Sequence, residues 1–216
     1  KASEVIEECE SRGVHIKDLV LEEELKSSQI NKDDILFNLT QMFKVMEESA
    51  TGNLNHETKT AMGMIDGFAK KMNAYSKEGK SITGNFVTEA MAMAFSTLEI
   101  SAAMGEIVAS PTAGSSGILP AILYSLKKRE GFSDEKMVDA MLTAIGIGKI
   151  IGYYGSFAGA EGGCQAETGS GAAMGAAAAC FLYDQSPEVC FHAASFAGKF
   201  RLERSDTSPD ARSMYG

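Results

Sequence analysis

The stretch from Gly169 to Phe181 reads Gly-Ser-Gly-Ala-Ala-Met-Gly-Ala-Ala-Ala-Ala-Cys-Phe, almost entirely Ala, Gly and Met. Alanine loses no side-chain entropy on entering a helix. Side chains this small also let another backbone or a cofactor come close. The segment is therefore expected to form a tightly packed helix, and the rest of the chain has to supply what packs against it.

Other windows carry the same period. Between Asp33 and Ala50 the apolar residues Ile35, Leu36, Leu39, Met42, Phe43 and Met46 recur at steps of three and four, the spacing of an amphipathic helix. Ala61, Met64, Ile65, Phe68 and Met72 repeat it, with a stop at Gly79. A third, alanine-rich helix is expected from Asn85 to Ile107. A fourth follows Ser133, an N-cap with Asp134 and Glu135 in the first turn, although Gly146, Gly148 and Gly152 weaken it. Runs such as Leu19 to Leu21 are too short for strands and lack a period of two. The expected fold is mainly α, a single compact helical domain of about seven to nine helices with a glycine-rich loop site.

Charge and cysteine usage narrow the function. With Lys+Arg 20 against Asp+Glu 29 the formal net charge is −9, a field that repels phosphate backbones and anionic lipid. No apolar run approaches the roughly 18 residues of a membrane helix, and no apolar leader opens the chain, so a cytoplasmic protein without nucleic-acid or membrane partners is expected. Four cysteines, Cys9, Cys164, Cys180 and Cys190, are too few and too uneven for a disulfide framework. Metal binding, catalysis or burial must account for them.

Two segments carry chemistry. Residues 110–120, Ser-Pro-Thr-Ala-Gly-Ser-Ser-Gly-Ile-Leu-Pro, interrupt two helical patterns. Pro111 sets the entry, while Gly114 and Gly117 permit unusual dihedrals. Thr112, Ser115 and Ser116 place hydroxyls at the start of the next helix, where free N–H groups favour an anion such as a substrate carboxylate. The same residue types also serve simply as caps and turns. Residues 159–171, Gly-Ala-Glu-Gly-Gly-Cys-Gln-Ala-Glu-Thr-Gly-Ser-Gly, set one thiol between two acids in a glycine-rich setting. Cys164 is thus a candidate metal ligand or nucleophile, with Glu161 and Glu167 as acid–base or supporting groups; a buried, inert thiol is the alternative. Cys180 and Cys190 sit among apolar residues and read as core, as do Cys9 and His192. His15 and His56 have no helpful sequence neighbours.

These two segments, together with Glu4 to Glu24, Val45-Met46-Glu47-Glu48-Ser49 and Thr83-Gly84-Asn85-Phe86, closely resemble the α chain of the bacterial iron-sulfur L-serine dehydratases. The resemblance implies a 4Fe-4S cluster held by three cysteines, whose open iron acts as a Lewis acid on the substrate hydroxyl. It further implies that L-serine loses its α-proton to a base and its hydroxide to the iron, the aminoacrylate then hydrolysing to pyruvate and ammonia. Carried over by motif position, Cys164 is the first cluster ligand, Gln165 a cofactor-side neighbour, and Glu161 and Glu167 the catalytic candidates. Thr112, Gly114, Ser115 and Ser116 are the substrate loop.

Departures from the pattern follow His192-Ala193-Ala194-Ser195, where the family continues to a Cys-Asp-Pro stretch and a later Pro-Cys that do not occur in this sequence. The chain divides by pattern into a serine dehydratase alpha-type catalytic domain at 1–198 and an atypical polar tail at 199–216, expected, with the non-methionine start at Lys1, to mark a truncated or altered chain. The cluster is then expected to be absent or incomplete. The family's β part, with its Ser-Ser-His-Thr motif, is expected as a separate partner chain, in an oligomer. Two alternatives stand beside the lyase: a helical assembly module without activity, suggested by the small-residue helix and twelve methionines, and a related thiol-dependent lyase such as a cysteine desulfidase.

Overall fold

The computed structural model describes residues 1–202, without the side chains of residues 165 and 199–202. Regular structure among the described residues is helical throughout, nine α-helices and one 3-10 turn, with no strand. The mainly α expectation is met. The helices group into two compact units, one of residues 1–40 and 132 onward, the other of residues 41–131.

The first unit holds α1 (Ala2–Arg12), α2 (Ile16–Ser27), the start of α3 (Lys32–Thr51), α7 (Asp134–Tyr154), α8 (Gly159–Leu182) and α9 (Pro187–Leu202). The small-residue stretch lies in α8, packed between α7 and α9, with Ala173, Ala177 and Ala178 buried. Ser133 caps α7 as its sequence position suggests, its Oγ accepting from the Lys136 N–H at 3.2 Å. The glycines expected to weaken α7 instead admit its neighbours. A Cβ on Gly146 would lie 2.5 Å from Ile16 Cγ2, so α2 reaches α7 only because that side chain is missing.

The second unit contains the rest of α3, α4 (Phe68–Lys77), α5 (Gly84–Ala102), the 3-10 turn Ala113–Ser115 and α6 (Ile118–Glu130). Phe43 and Met46 of α3 are 1% and 2% exposed, and burial of such side chains stabilises by about 1.5–3 kcal/mol each. A polar tie lies in the same unit. Glu99 of α5 is wholly buried, its two carboxyl oxygens accepting from Asn53 Nδ2 at 3.1 Å and from the Ala69 N–H at 3.0 Å. Ala69 is the second residue of α4, whose N-cap, Gly67, offers no side chain, so Glu99 caps that helix from a distance.

Several sequence expectations are corrected here. The helix expected from Ala61 starts only at Phe68, because Gly63 and Gly67 take positive φ and Asp66 ties back to the Thr60 N–H and hydroxyl. The helix expected to reach Ile107 stops at Ala102, closed by a left-handed Met104 and a Gly105 N–H donated to the Ile100 carbonyl at 2.8 Å. The glycine-rich stretch 159–171, expected as a loop, is helical within α8. Helix α9 continues through 199–202, the first part of the polar tail; residues 203–216 lie outside the described residues.

Candidate functional site

In the second unit, residues 110–117 form the break between α5 and α6 that the sequence suggests. The Ser110–Pro111 peptide is cis, Thr112 is extended, and Ala113–Ser115 make the 3-10 turn. Ser115 is buried, its Oγ 3.2 Å from the Ser110 carbonyl and 3.3 Å from Thr112 Oγ1. Ser116 is buried too and donates its hydroxyl to the Ala113 carbonyl at 2.8 Å. These two hydroxyls therefore hold the turn, while Thr112 is half-buried and Gly114 exposed. Gly117 does not use the unusual dihedrals expected of it, since its φ is −78°. Its place is dictated by space, because a Cβ there would lie 2.6 Å from the Ala94 carbonyl oxygen of α5. Helix α6 then begins with no side-chain cap and no acid in its first turn, leaving N–H groups that favour an anion.

In the first unit the segment around Cys164 is a broken helix. Gly163 adopts φ 73° and ψ 169°, a combination open essentially to glycine. The break makes Cys164 the first residue of the longer helical run, where it is exposed, and Thr168 Oγ1 donates to its carbonyl at 3.2 Å. Glu161 is exposed on the short run before the break. Glu167 is half-buried, its carboxyl carbon 3.5 Å from where a Gly159 Cβ would stand, so the acid folds back over the start of α8. The side chain of Gln165 lies outside the described residues. Residues 110–117 and the Cys164 segment belong to different units.

Of the remaining thiols, all expected in the core, Cys9 and Cys190 lie there and Cys180 is half-buried. Cys9 and Cys190 are buried; burial pushes the Cys9 and Cys180 thiols up and the Cys190 thiol up to about 12. The histidines depart from expectation. His192 is exposed on α9 rather than core, and it lines a cavity of about 500 Å³ whose other walls include Ile6, Ile147, Ile151 and Phe191. None of the residues singled out for chemistry lines that cavity. His15, for which the sequence offers no neighbours, is packed edge-on to Phe181, with Nε2 3.2 Å from the Gln185 carbonyl and 3.9 Å from Cys190 Sγ. Burial lowers its pKa. Its partners lie 170 and 175 residues away in sequence, so no local signal announces them.

Whether these residues hold a metal group has a direct answer from the donor set. Among the described residues no three His, Cys, Asp or Glu side chains come together as a group able to hold a metal ion. Cys164 is a single accessible thiol, which does not fit a cluster that needs three protein ligands.

The sequence of the chain nevertheless matches the family model described as serine dehydratase alpha chain over residues 11–200. The chain belongs to that family. It is 50% identical over 194 residues to an L-serine dehydratase alpha chain of Peptoniphilus asaccharolyticus, covering 90% of this chain and 66% of that protein. It is 35% identical over 185 residues to a probable L-serine dehydratase alpha chain of Bacillus subtilis, covering 86% and 61%. An L-serine dehydratase of Streptomyces coelicolor is 29% identical over 206 residues, 92% of this chain but 44% of that protein. The chain thus spans less than two thirds of the alpha chains it resembles and under half of the longer family member. Among its described residues no helix is long and apolar enough to cross a membrane.

Proposed function

We propose that this chain is the alpha component of an L-serine ammonia-lyase, acting with a beta chain to convert L-serine to pyruvate and ammonia in the cytoplasm. The observation that carries the reading is the family match over residues 11–200, which takes in both the 110–117 loop and the Cys164 segment. In this reading the uncapped start of α6 and the Thr112 hydroxyl receive the substrate carboxylate, while Gly114 leaves the loop open and Ser115 and Ser116 keep the turn in shape. Glu161 and Glu167, which lie in the other unit, are retained separately as the proposed acid–base groups.

The family's 4Fe-4S cluster is a separate matter. Cys164, exposed at the helix break, is proposed as one ligand. It has no companions among the described residues, which hold all four cysteines of the sequence, so the three-cysteine set that the family resemblance implies is not completed here.

Two readouts test the proposal. After anaerobic reconstitution with iron and sulfide, bound iron should fall in Cys164→Ala, and retention unchanged by that substitution removes Cys164 from the ligand set. Pyruvate formation from L-serine, with a beta chain supplied, should accompany the bound iron; an iron-loaded pair that leaves L-serine untouched overturns the lyase assignment.

A further inference from the structure

The loop before α6 contains one hydroxyl for which the fold has no use. Ser110 is 4% exposed, and among the described residues its Oγ has no hydrogen-bond partner. The hydroxyls around it are all engaged: Ser116 with the Ala113 carbonyl, Ser115 with Thr112 and with the carbonyl of Ser110 itself. A buried hydroxyl without a partner destabilises the fold relative to a methyl group of similar size, and buried polar groups in native proteins are overwhelmingly paired. An orphan in the loop where an anion is received therefore points to a partner that arrives with the ligand.

Two further observations bear on how a ligand reaches it. Ser115 Oγ lies within 3.2–3.4 Å of four polar atoms, the Ser110 and Thr112 carbonyls, the Thr112 N–H and Thr112 Oγ1, yet has one proton to donate. Bonds so long and shared are readily exchanged for better ones. The turn they close carries the exposed Ala113 and Gly114, so the element that must yield lies at the surface.

We propose that Ser110 is a substrate-contacting residue, its hydroxyl donating to a carboxylate oxygen of a small amino acid once the Ala113–Ser115 turn shifts. The inference rests on the reading of this loop as the carboxylate site. It explains why the loop tolerates a buried, unpaired hydroxyl, since the bond is formed only in the complex.

The test pairs Ser110→Ala with Ser125→Ala, whose buried hydroxyl on α6 is already satisfied by the Ile122 carbonyl. The ligands are L-serine and L-alanine, the second presenting the same carboxylate without a hydroxyl to be eliminated. Without ligand, Ser110→Ala should melt at or above the wild-type temperature. By calorimetric titration, Ser110→Ala should bind both amino acids at least about ten-fold more weakly, the loss expected for one hydrogen bond to a charged group, and Ser125→Ala should bind as wild type. A ligand-free loss of stability in Ser110→Ala would assign the hydroxyl to structure. Equal affinities for wild type and Ser110→Ala would overturn the contact while leaving the loop assignment intact. A wild-type chain that binds neither amino acid would overturn both.

Discussion

Replacing Glu99 by alanine should cost the second unit more than any surface substitution can. The carboxyl group is completely buried and satisfies two donors, Asn53 Nδ2 at 3.1 Å and the Ala69 N–H at 3.0 Å. Truncation strands both. Each buried donor left without an acceptor costs about 1–3 kcal/mol, and the vacated volume adds to that because the surroundings relax only in part. A loss of about 4 kcal/mol is expected, a large share of the roughly 5–15 kcal/mol that holds a domain together. The damage should also spread along a defined route. Asn53 donates its N–H to Ser96 Oγ at 3.0 Å and accepts from Thr58 Oγ1 at 2.7 Å, so losing Glu99 loosens the connection from α3 to α4 as well as the first turn of α4. Glu99→Gln keeps one acceptor but turns an NH2 group towards the second donor, and should cost less than alanine and still at least about 1 kcal/mol. Equilibrium urea unfolding gives the totals, and hydrogen exchange at residues 68–77 gives the location. A Glu99→Ala protein within about 1 kcal/mol of wild type, with unchanged exchange in α4, would refute the argument that a distant carboxyl caps this helix.

Two further outcomes follow from packing and from titration. Gly117→Ala forces a Cβ to 2.6 Å from the Ala94 carbonyl oxygen, a backbone atom that cannot swing away, so it should destabilise by about 1–3 kcal/mol in the same unfolding assay even though the Gly117 dihedrals suit alanine. His15 is held neutral by burial, with its folded pKa below the ordinary histidine value of about 6.5 and Nδ1 lacking any partner among the described residues. The unfolded chain therefore binds the proton first, and stability should be full above pH 6.5 and decline as pH falls from there through the lowered folded value. His15→Gln should flatten that part of a stability-versus-pH curve, and a slope unchanged by the substitution would show that another group titrates.

How much of this could be read without coordinates varies by element. The three- and four-residue spacing over 33–50 matched α3 closely, and Ser133 announced the start of α7, because period and capping are local properties of the chain. The same reasoning failed at 61–67, where an apolar spacing fit for a helix is overruled by positive φ at Gly63 and Gly67 and by the Asp66 tie to Thr60. It also placed Gly114 and Gly117 together as conformational devices, whereas Gly117 is required by the approach of Ala94. Within the candidate site, the exposed thiol of Cys164 suited its glycine-rich setting, but the break that exposes it, at Gly163 inside a helix, was hidden in a segment that looked like a loop.

What the sequence by itself determined is the family and the helical class, and it also marked the two segments proposed to carry chemistry, since motif wording and periodicity are written in residue order. Only the tertiary structure decided which polar groups are satisfied. Glu99 finds its donors 46 and 30 residues away, His15 meets Gln185 across 170 residues, and Ser110 has no partner among the described residues. Hydrogen bonding inside a protein is settled by what the fold brings within about 3 Å, and sequence order carries no record of that.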